Sequence, residues 1–220
     1  KKLPINYFFQ ENKGFASARN KGLELCKNEW IVLIDHDDIC VEERLEIQKN
    51  EIIDNPFCSL FFGDALYFDN LSQFSKFKNL EKKDNFRPYK INLSKINARN
   101  NLIIHGCFIV SSTVVFHKNT IIEIGNFNTK YKIVSDYDFF LRLSKKYNIY
   151  CSKKIISKWR IHQNQTTNKK ILMYYSELSN ILVNLLYSED VKFKLKMIIF
   201  YKLLKNYCKT IFIIIKNVKK

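Results

Sequence analysis

The sequence predicts an α/β fold in which a mainly parallel sheet is flanked by helices and followed by a helical extension. Three observations predict it. From Trp30 to Ile34 apolar residues run without a break into Asp35-His36-Asp37-Asp38, the profile of a buried strand that ends at a charged edge. Upstream, Ile5 to Phe9 reads as a short strand, and Phe15, Ala18, Gly22 and Leu25 recur at helical spacing. Strand, helix and strand then follow closely enough for a βαβ unit, whose ligands bind beyond the carboxyl ends of the strands. Past Thr167, apolar positions mix with lysines at helical spacing and no acid follows Asp190.

Taken in order, Gly14 permits the tight turn that opens the first helix. A second helix spans Val41 to Ile53, with Val41, Leu45, Gln48 and Ile52 on one stripe, and Asn55-Pro56 ends it. Phe57 to Phe62 and Ala65 to Phe68 read as strands on either side of a Gly63-Asp64 turn. Asp69 to Asn101 is rich in Lys, Asn and Phe without a period and reads as a long excursion of the functional kind. Leu102 to Val110 and Thr113 to Phe116 return to strand character. A short helix begins at Thr120 and stops at Gly125, and a longer one opens at Ser135-Asp136-Tyr137-Asp138, where acids suit the positive end of the helix dipole. Ile155 to His162 reads as a strand that puts Lys158, Arg160 and His162 on one face. Helices over Ile171 to Ser188 and Val191 to Lys220 complete the chain. In the last, Met197, Ile198, Tyr201, Leu204 and Cys208 form an apolar stripe beside lysines, which suits either an anionic membrane surface or packing on the domain itself.

Composition narrows the function. The chain has 220 residues with 46% hydrophobic and 15% aromatic content, enough for a buried core rather than disorder. A formal net charge of +16 points to anionic partners. The excess lies in Phe74 to Lys95 and after Asp190, away from the acidic cluster, and no nucleic-acid recognition motif accompanies it, so nucleic acid is not expected. The cysteines, at positions 26, 40, 58, 107, 151 and 208, show no Cys-x-x-Cys pair, which disfavours zinc and a disulfide framework. Three carboxylates within Asp35 to Asp38 repel one another unless solvent or a cation offsets them, and oxygen ligands of this type suit Mg²⁺ or Mn²⁺.

Four separated motifs, in order, resemble the family 2 glycosyltransferases, inverting enzymes of the Rossmann-like GT-A fold. They are Asn12-x-Gly14-x-x-x-Ala18-Arg19-Asn20, Leu33-Ile34-Asp35-His36-Asp37-Asp38, Ile124-Gly125-x-Phe127 with Ser135-Asp136-Tyr137-Asp138-Phe139-Phe140-Leu141-Arg142, and Trp159-Arg160-Ile161-His162 with Gln165-Thr166-Thr167. The resemblance covers about Tyr7 to Thr167. It implies a glycosyltransferase domain over residues 1–167, a basic amphipathic extension over 168–220, and a first strand and helix of the family preceding Lys1. Ser135 stands where the family often has Glu, and His36 replaces a small residue.

The resemblance implies roles as well. Asp136 is the general base toward an acceptor hydroxyl. Asp35, Asp37 and Asp38 are the metal site, the DXD motif, for Mg²⁺ or Mn²⁺, with Asp37 the direct ligand and Asp35 also near the nucleotide or sugar. Asn12, Gly14 and Arg19 line the nucleotide, and Arg160 and His162 meet phosphate. The expected partners are a nucleotide-sugar donor, UDP-sugars first, and a glycan or lipid-linked acceptor in bacterial cell-surface polysaccharide or lipooligosaccharide synthesis. The expected location is cytoplasmic, peripheral at the inner face of the cytoplasmic membrane. A second class stays open, an inactive, truncated, membrane-associated binding or scaffolding module.

Overall fold

A computed structural model describes residues 5–69, 95–162 and 170–218. Its centre is a mixed sheet of five strands in the order β1-β4-β3-β5-β2. These are β1 (Trp30–Val32), β2 (Ile39–Cys40), β3 (Cys58–Asp69), β4 (Val115–His117) and β5 (Asn148–Ile161). The long pair β3 and β5 runs parallel, and β1 with β4, β3 with β4 and β2 with β5 run antiparallel. The parallel share is therefore concentrated in one pair. Ile5 to Phe9 adds no strand to it: Ile5, Tyr7, Phe8 and Phe9 are all exposed, and no neighbour among the described residues takes their backbone groups into a ladder.

The helices are α1 (Phe15–Leu25), α2 (Arg44–Asp54), α3 (Lys95–His105), α4 (Thr120–Ile124), α5 (Ser135–Lys146), α6 (Ile171–Tyr187) and α7 (Phe193–Val218). Two sequence expectations are corrected here. Gly63-Asp64 is no turn: β3 continues through it with register shifts, because a side chain at Gly63 would stand 2.3 Å from Ile156 Cγ1 and 2.8 Å from the Lys154 carbonyl. Leu102 to Val110 is no strand either. Leu102 and Ile103 close α3, one turn beyond Ala98, and all three are buried, so what reads as an apolar run is the core face of a helix. Most of the Asp69 to Asn101 excursion, and Gln165, Thr166 and Thr167, lie outside the described residues.

One core joins the layers. Leu60, Phe62, Phe116, Phe139, Phe140 and Leu143 meet Ile181, Leu182 and Leu185 of α6 and Ile199 and Leu203 of α7 in a single apolar cluster. Arg99 and Lys145 both reach Asp190 between the last two helices, at 2.8 and 3.2 Å. The stripe read on α2 holds at Gln48 and fails at Leu45. Arg44 and Gln48 face inward while Leu45 and Ile53 are exposed, because Arg44 donates to the carbonyls of Leu33 and Val114 at 3.0 and 3.1 Å, and Gln48 to that of Thr113 at 2.8 Å. These side chains satisfy carbonyls where β1 ends and β4 begins, so the loops leaving that sheet end are held from behind.

Candidate functional site

β1 delivers the acidic cluster to the sheet edge, and each carboxylate there has its own partner. Arg19 Nη2 of α1 donates to Asp35 Oδ1 at 2.9 Å. Asp37 Oδ2 lies 3.0 Å from His162 Nε2, at the end of β5. Asp38 Oδ1 accepts the Arg160 amide at 2.9 Å. The guanidinium of Arg160 turns inward, donating to the Asp37 carbonyl at 3.0 Å and lying 4.6 Å from the Phe68 ring, so it braces the loop. His36 points outward with a side chain 97% exposed.

A short turn between α3 and β4 brings the fourth carboxylate to this edge. The Ser111 hydroxyl donates to Asp136 Oδ2 at 3.3 Å, and the next residue's hydroxyl, that of Ser112, accepts the Asp35 amide at 2.9 Å. Adjacent residues thus tie Asp136 and Asp35 to one place. Asp136 is the second residue of α5, and that helix is fixed to its surroundings. Phe139 stacks on Phe127 with ring centres 4.2 Å apart, and Arg142 bonds Asp138 and the carbonyls of Gly125 and Asn126. Asn20 exchanges two hydrogen bonds with the Phe127 backbone, each 2.9 Å, which locks the first motif to the third.

The electrostatics divide the carboxylates. Burial pushes the Asp136 carboxyl above its ordinary value and the charge of Asp35 adds to that, while Arg19, the Tyr137 amide and Ser111 oppose. Burial also pushes Asp38 up, against Ser112 and the Arg160 amide, with Asp37 and Asp35 adding to the rise. Asp37 goes the other way. Burial would raise it, but the His162 hydrogen bond, its own amide and the two histidines hold it below the usual carboxylate range.

The predicted nucleotide residues Asn12 and Gly14 stand at the entrance to α1, where Asn12 Oδ1 accepts the Gly14 amide at 3.0 Å and Gly14 takes φ +88°. Arg19 is one turn further along, its guanidinium 5.3 and 5.4 Å from the rings of Phe15 and Phe127, and its buried Nη1 has no acceptor among the described residues. Sequence reasoning missed the serines at 111 and 112, and although it read the helix α6 it assigned it to an extension away from the site. Burial, then Cys107, Tyr175 and Asp136, raise the Tyr174 phenol of that helix. A cavity of about 580 Å³ lies elsewhere, lined by Asn20, Lys21, Glu24, Lys118 and Ile122, and none of the acidic cluster lines it.

Asp35, Asp37 and Asp38 each meet a different partner, Arg19, His162 and the Arg160 amide. Among the described residues no three His, Cys, Asp or Glu side chains form a group able to hold a metal. Asp37 with His162 is a two-ligand pair, and a hard cation bound through one or two protein groups together with substrate phosphates fits that donor set better than a closed cage does.

A model of the family described as "Glycosyl transferase family 2" matches residues 1–119. An uncharacterized glycosyltransferase of Rickettsia typhi is 30% identical over 166 residues, 74% of this chain and 49% of the relative. The amylovoran biosynthesis glycosyltransferase AmsE of Erwinia amylovora is 28% identical over 134 residues, 61% of this chain and 45% of the relative. Among solved structures, Staphylococcus aureus TarS 1-349 superposes with a TM-score of 0.59 at 16% identity, over 90% of this chain and 53% of that one, a likeness of fold. The chain spans about half the length of these relatives.

Proposed function

The chain belongs to glycosyl transferase family 2, and from that premise we propose that it is the catalytic part of an inverting, metal-dependent enzyme moving a sugar from a nucleotide-sugar donor to a hydroxyl of a glycan or lipid-linked acceptor. The observation that carries the reading is the serine pair: Ser111 on Asp136 and Ser112 on the Asp35 amide put the proposed base beside the acidic loop whose Asp37 meets His162. UDP-sugars are the first donors to try. AmsE is named for amylovoran biosynthesis, and cell-surface polysaccharide or lipooligosaccharide synthesis is the corresponding proposal for this chain.

In this reading the donor diphosphate lies at Asp37 and His162, with Arg19 near the nucleotide. Mg²⁺ or Mn²⁺ held by Asp37 and His162 would supply a Lewis acid for the leaving diphosphate. Asp136 takes the proton from the acceptor hydroxyl as its oxygen bonds the anomeric carbon. The bond from that carbon to the diphosphate breaks on the opposite face, and a nucleoside diphosphate leaves with inversion. A carboxylate whose pKa is raised suits this role, since a stronger base takes the proton more readily once ionised. Arg160 holds the loop from behind, and Asp38 anchors β5 through the Arg160 amide.

The test is binding of UDP and GDP to the whole protein with and without Mn²⁺, followed by hydrolysis of UDP-sugars. Metal-dependent binding with turnover lost in Asp136→Asn is expected. Neither binding nor turnover would leave the scaffolding alternative in its place.

A peripheral location at the inner face of the cytoplasmic membrane belongs to the same proposal. α7 packs through Ile199 and Leu203, while Phe193, Met197, Phe200, Leu204, Tyr207, Ile211 and Ile214 recur every three or four residues on an exposed face, with lysines and no acid along the helix. No helix among the described residues is long and apolar enough to cross a membrane. Sedimentation with anionic but not neutral vesicles, lost in Phe200→Glu, is the expected result; equal binding to both kinds of vesicle, or to neither, would remove this part.

A further inference from the structure

Glu177 is a carboxylate 7% exposed in the middle of α6, and its hydrogen-bond partners are backbone amides. Its Oε1 accepts the Lys132 amide at 2.7 Å, and its Oε2 accepts those of Ile133 and Val134 at 2.8 and 3.2 Å. The next two residues are Ser135 and Asp136. Helix α5 starts without a side-chain cap, since Val134 stands at its N-cap position and offers no acceptor of its own. A carboxylate from another helix therefore gathers the amides just ahead of that start, where negative charge also suits the helix dipole.

The turn so held touches the site on two sides. It leads directly into Asp136, and Lys132 also packs within 3.8 Å of where a side chain on Gly14 would begin. α6 is a firm anchor, because Ile181, Leu182 and Leu185 are buried in the common core.

We propose that Glu177 is a positioning residue: through the amides of residues 132–134 it sets where the Asp136 carboxyl stands, so that α6 is part of the transfer machinery. This rests on Asp136 being the base, as proposed above. It goes further in giving a catalytic dependence to a helix that the sequence assigns to an extension. Glu177→Gln keeps the shape and one acceptor oxygen but sets an NH₂ against amides that donate. A base displaced by a fraction of an ångström loses rate far more than it loses donor affinity.

The experiment compares wild type, Glu177→Gln and Glu177→Asp in the whole protein. Hydrolysis of UDP-glucose, UDP-galactose and UDP-N-acetylglucosamine with Mn²⁺ is followed alongside amide hydrogen exchange. Expected in Glu177→Gln is a fall in kcat of about 10- to 100-fold with donor KM changed by less than about 2-fold, and a moved acid limb in the pH profile. Exchange at residues 132–136 should quicken while α1 stays protected, and Glu177→Asp should recover part of both effects. Unchanged kcat and acid limb in a Glu177→Gln protein that has merely lost stability would overturn the proposal. Should no donor be turned over by wild type, the enzyme reading fails on its own account. Exchange at 132–136 then decides the contact, and unchanged protection there sinks it.

Discussion

The two carboxylate-bearing rims of the site differ in what chiefly holds them. At the 35–38 rim, two of the three carboxylates meet side chains from motifs with their own signature, Arg19 on Asp35 and His162 on Asp37, while Asp38 accepts the Arg160 amide. At the Asp136 rim, the backbone is what is held. Glu177 gathers amides ahead of α5, and Arg142 gathers the carbonyls of Gly125 and Asn126. The first arrangement leaves Asp37 readily charged, and the second buries Asp136 until its carboxyl resists ionising. In the proposed reading, one rim binds and the other takes a proton.

The sharpest break of that contrast is Asp136→Asn, which removes the proposed base and leaves its shape. Turnover should fall by about 10²- to 10⁴-fold, with metal-dependent UDP binding kept. Titration makes the same point in wild type. Asp37 lies below its ordinary 3.8 and Asp136 above it, so acidification should protonate Asp136 first. Turnover then drops at a pH where nucleotide binding persists. If both fall together, the rims are not electrostatically distinct.

Next in size is Arg44→Leu, aimed behind the first rim. Arg44 is 1% exposed and donates to two carbonyls, Gln48 Oε1 and Cys40 Sγ. Its loss leaves buried acceptors unpaired at about 1–3 kcal/mol each, so a destabilisation of roughly 3 kcal/mol is expected in urea unfolding. The acid limb of turnover should stay where it is. A smaller effect follows from His162→Ala, which strips one partner from Asp37. Affinity for UDP with Mn²⁺ should weaken by about 10-fold while binding without metal changes little, measured by calorimetry.

The contrast also explains what the sequence made legible. The strand running into Asp35, the helix opening at Ser135 and the Arg160-x-His162 spacing announce themselves, because motif chemistry repeats in types and spacings. Arg44, in its bonds to Leu33 and Val114, and Glu177 announce nothing. Their partners are main-chain groups, identical at every residue, so a buried Arg bound to carbonyls reads in the sequence like a solvated one. Leu45, by contrast, looks like core and lies exposed on the same helix. The α3 and β3 misreadings have a related cause, since a short apolar run or a lone glycine fits helix, strand, turn or bulge until its neighbours are known.

The smallest expected effect tests whether the α7 contact is independent of both rims. Lys202 Nζ donates to the Ile103 carbonyl at 2.6 Å, and burial, with Lys205 adding, pushes its pKa from 10.5 down to about 8. Below pH 8 both folded and unfolded chains hold this proton, so the lysine adds no pH dependence, and the fold bears the cost of a half-buried ammonium. Between about 8 and 10.5 the unfolded chain still binds the proton that the folded one has released, so stability should rise with pH through that window and level off above it. Urea midpoints at pH 7, 8, 9 and 10 should therefore climb in wild type relative to Lys202→Met, in which the slope from this site disappears. UDP affinity should be the same in both proteins. Parallel midpoint curves would mean that the ammonium stays hydrated, whereas a change in UDP affinity would mean that α7 is coupled to the acidic loop.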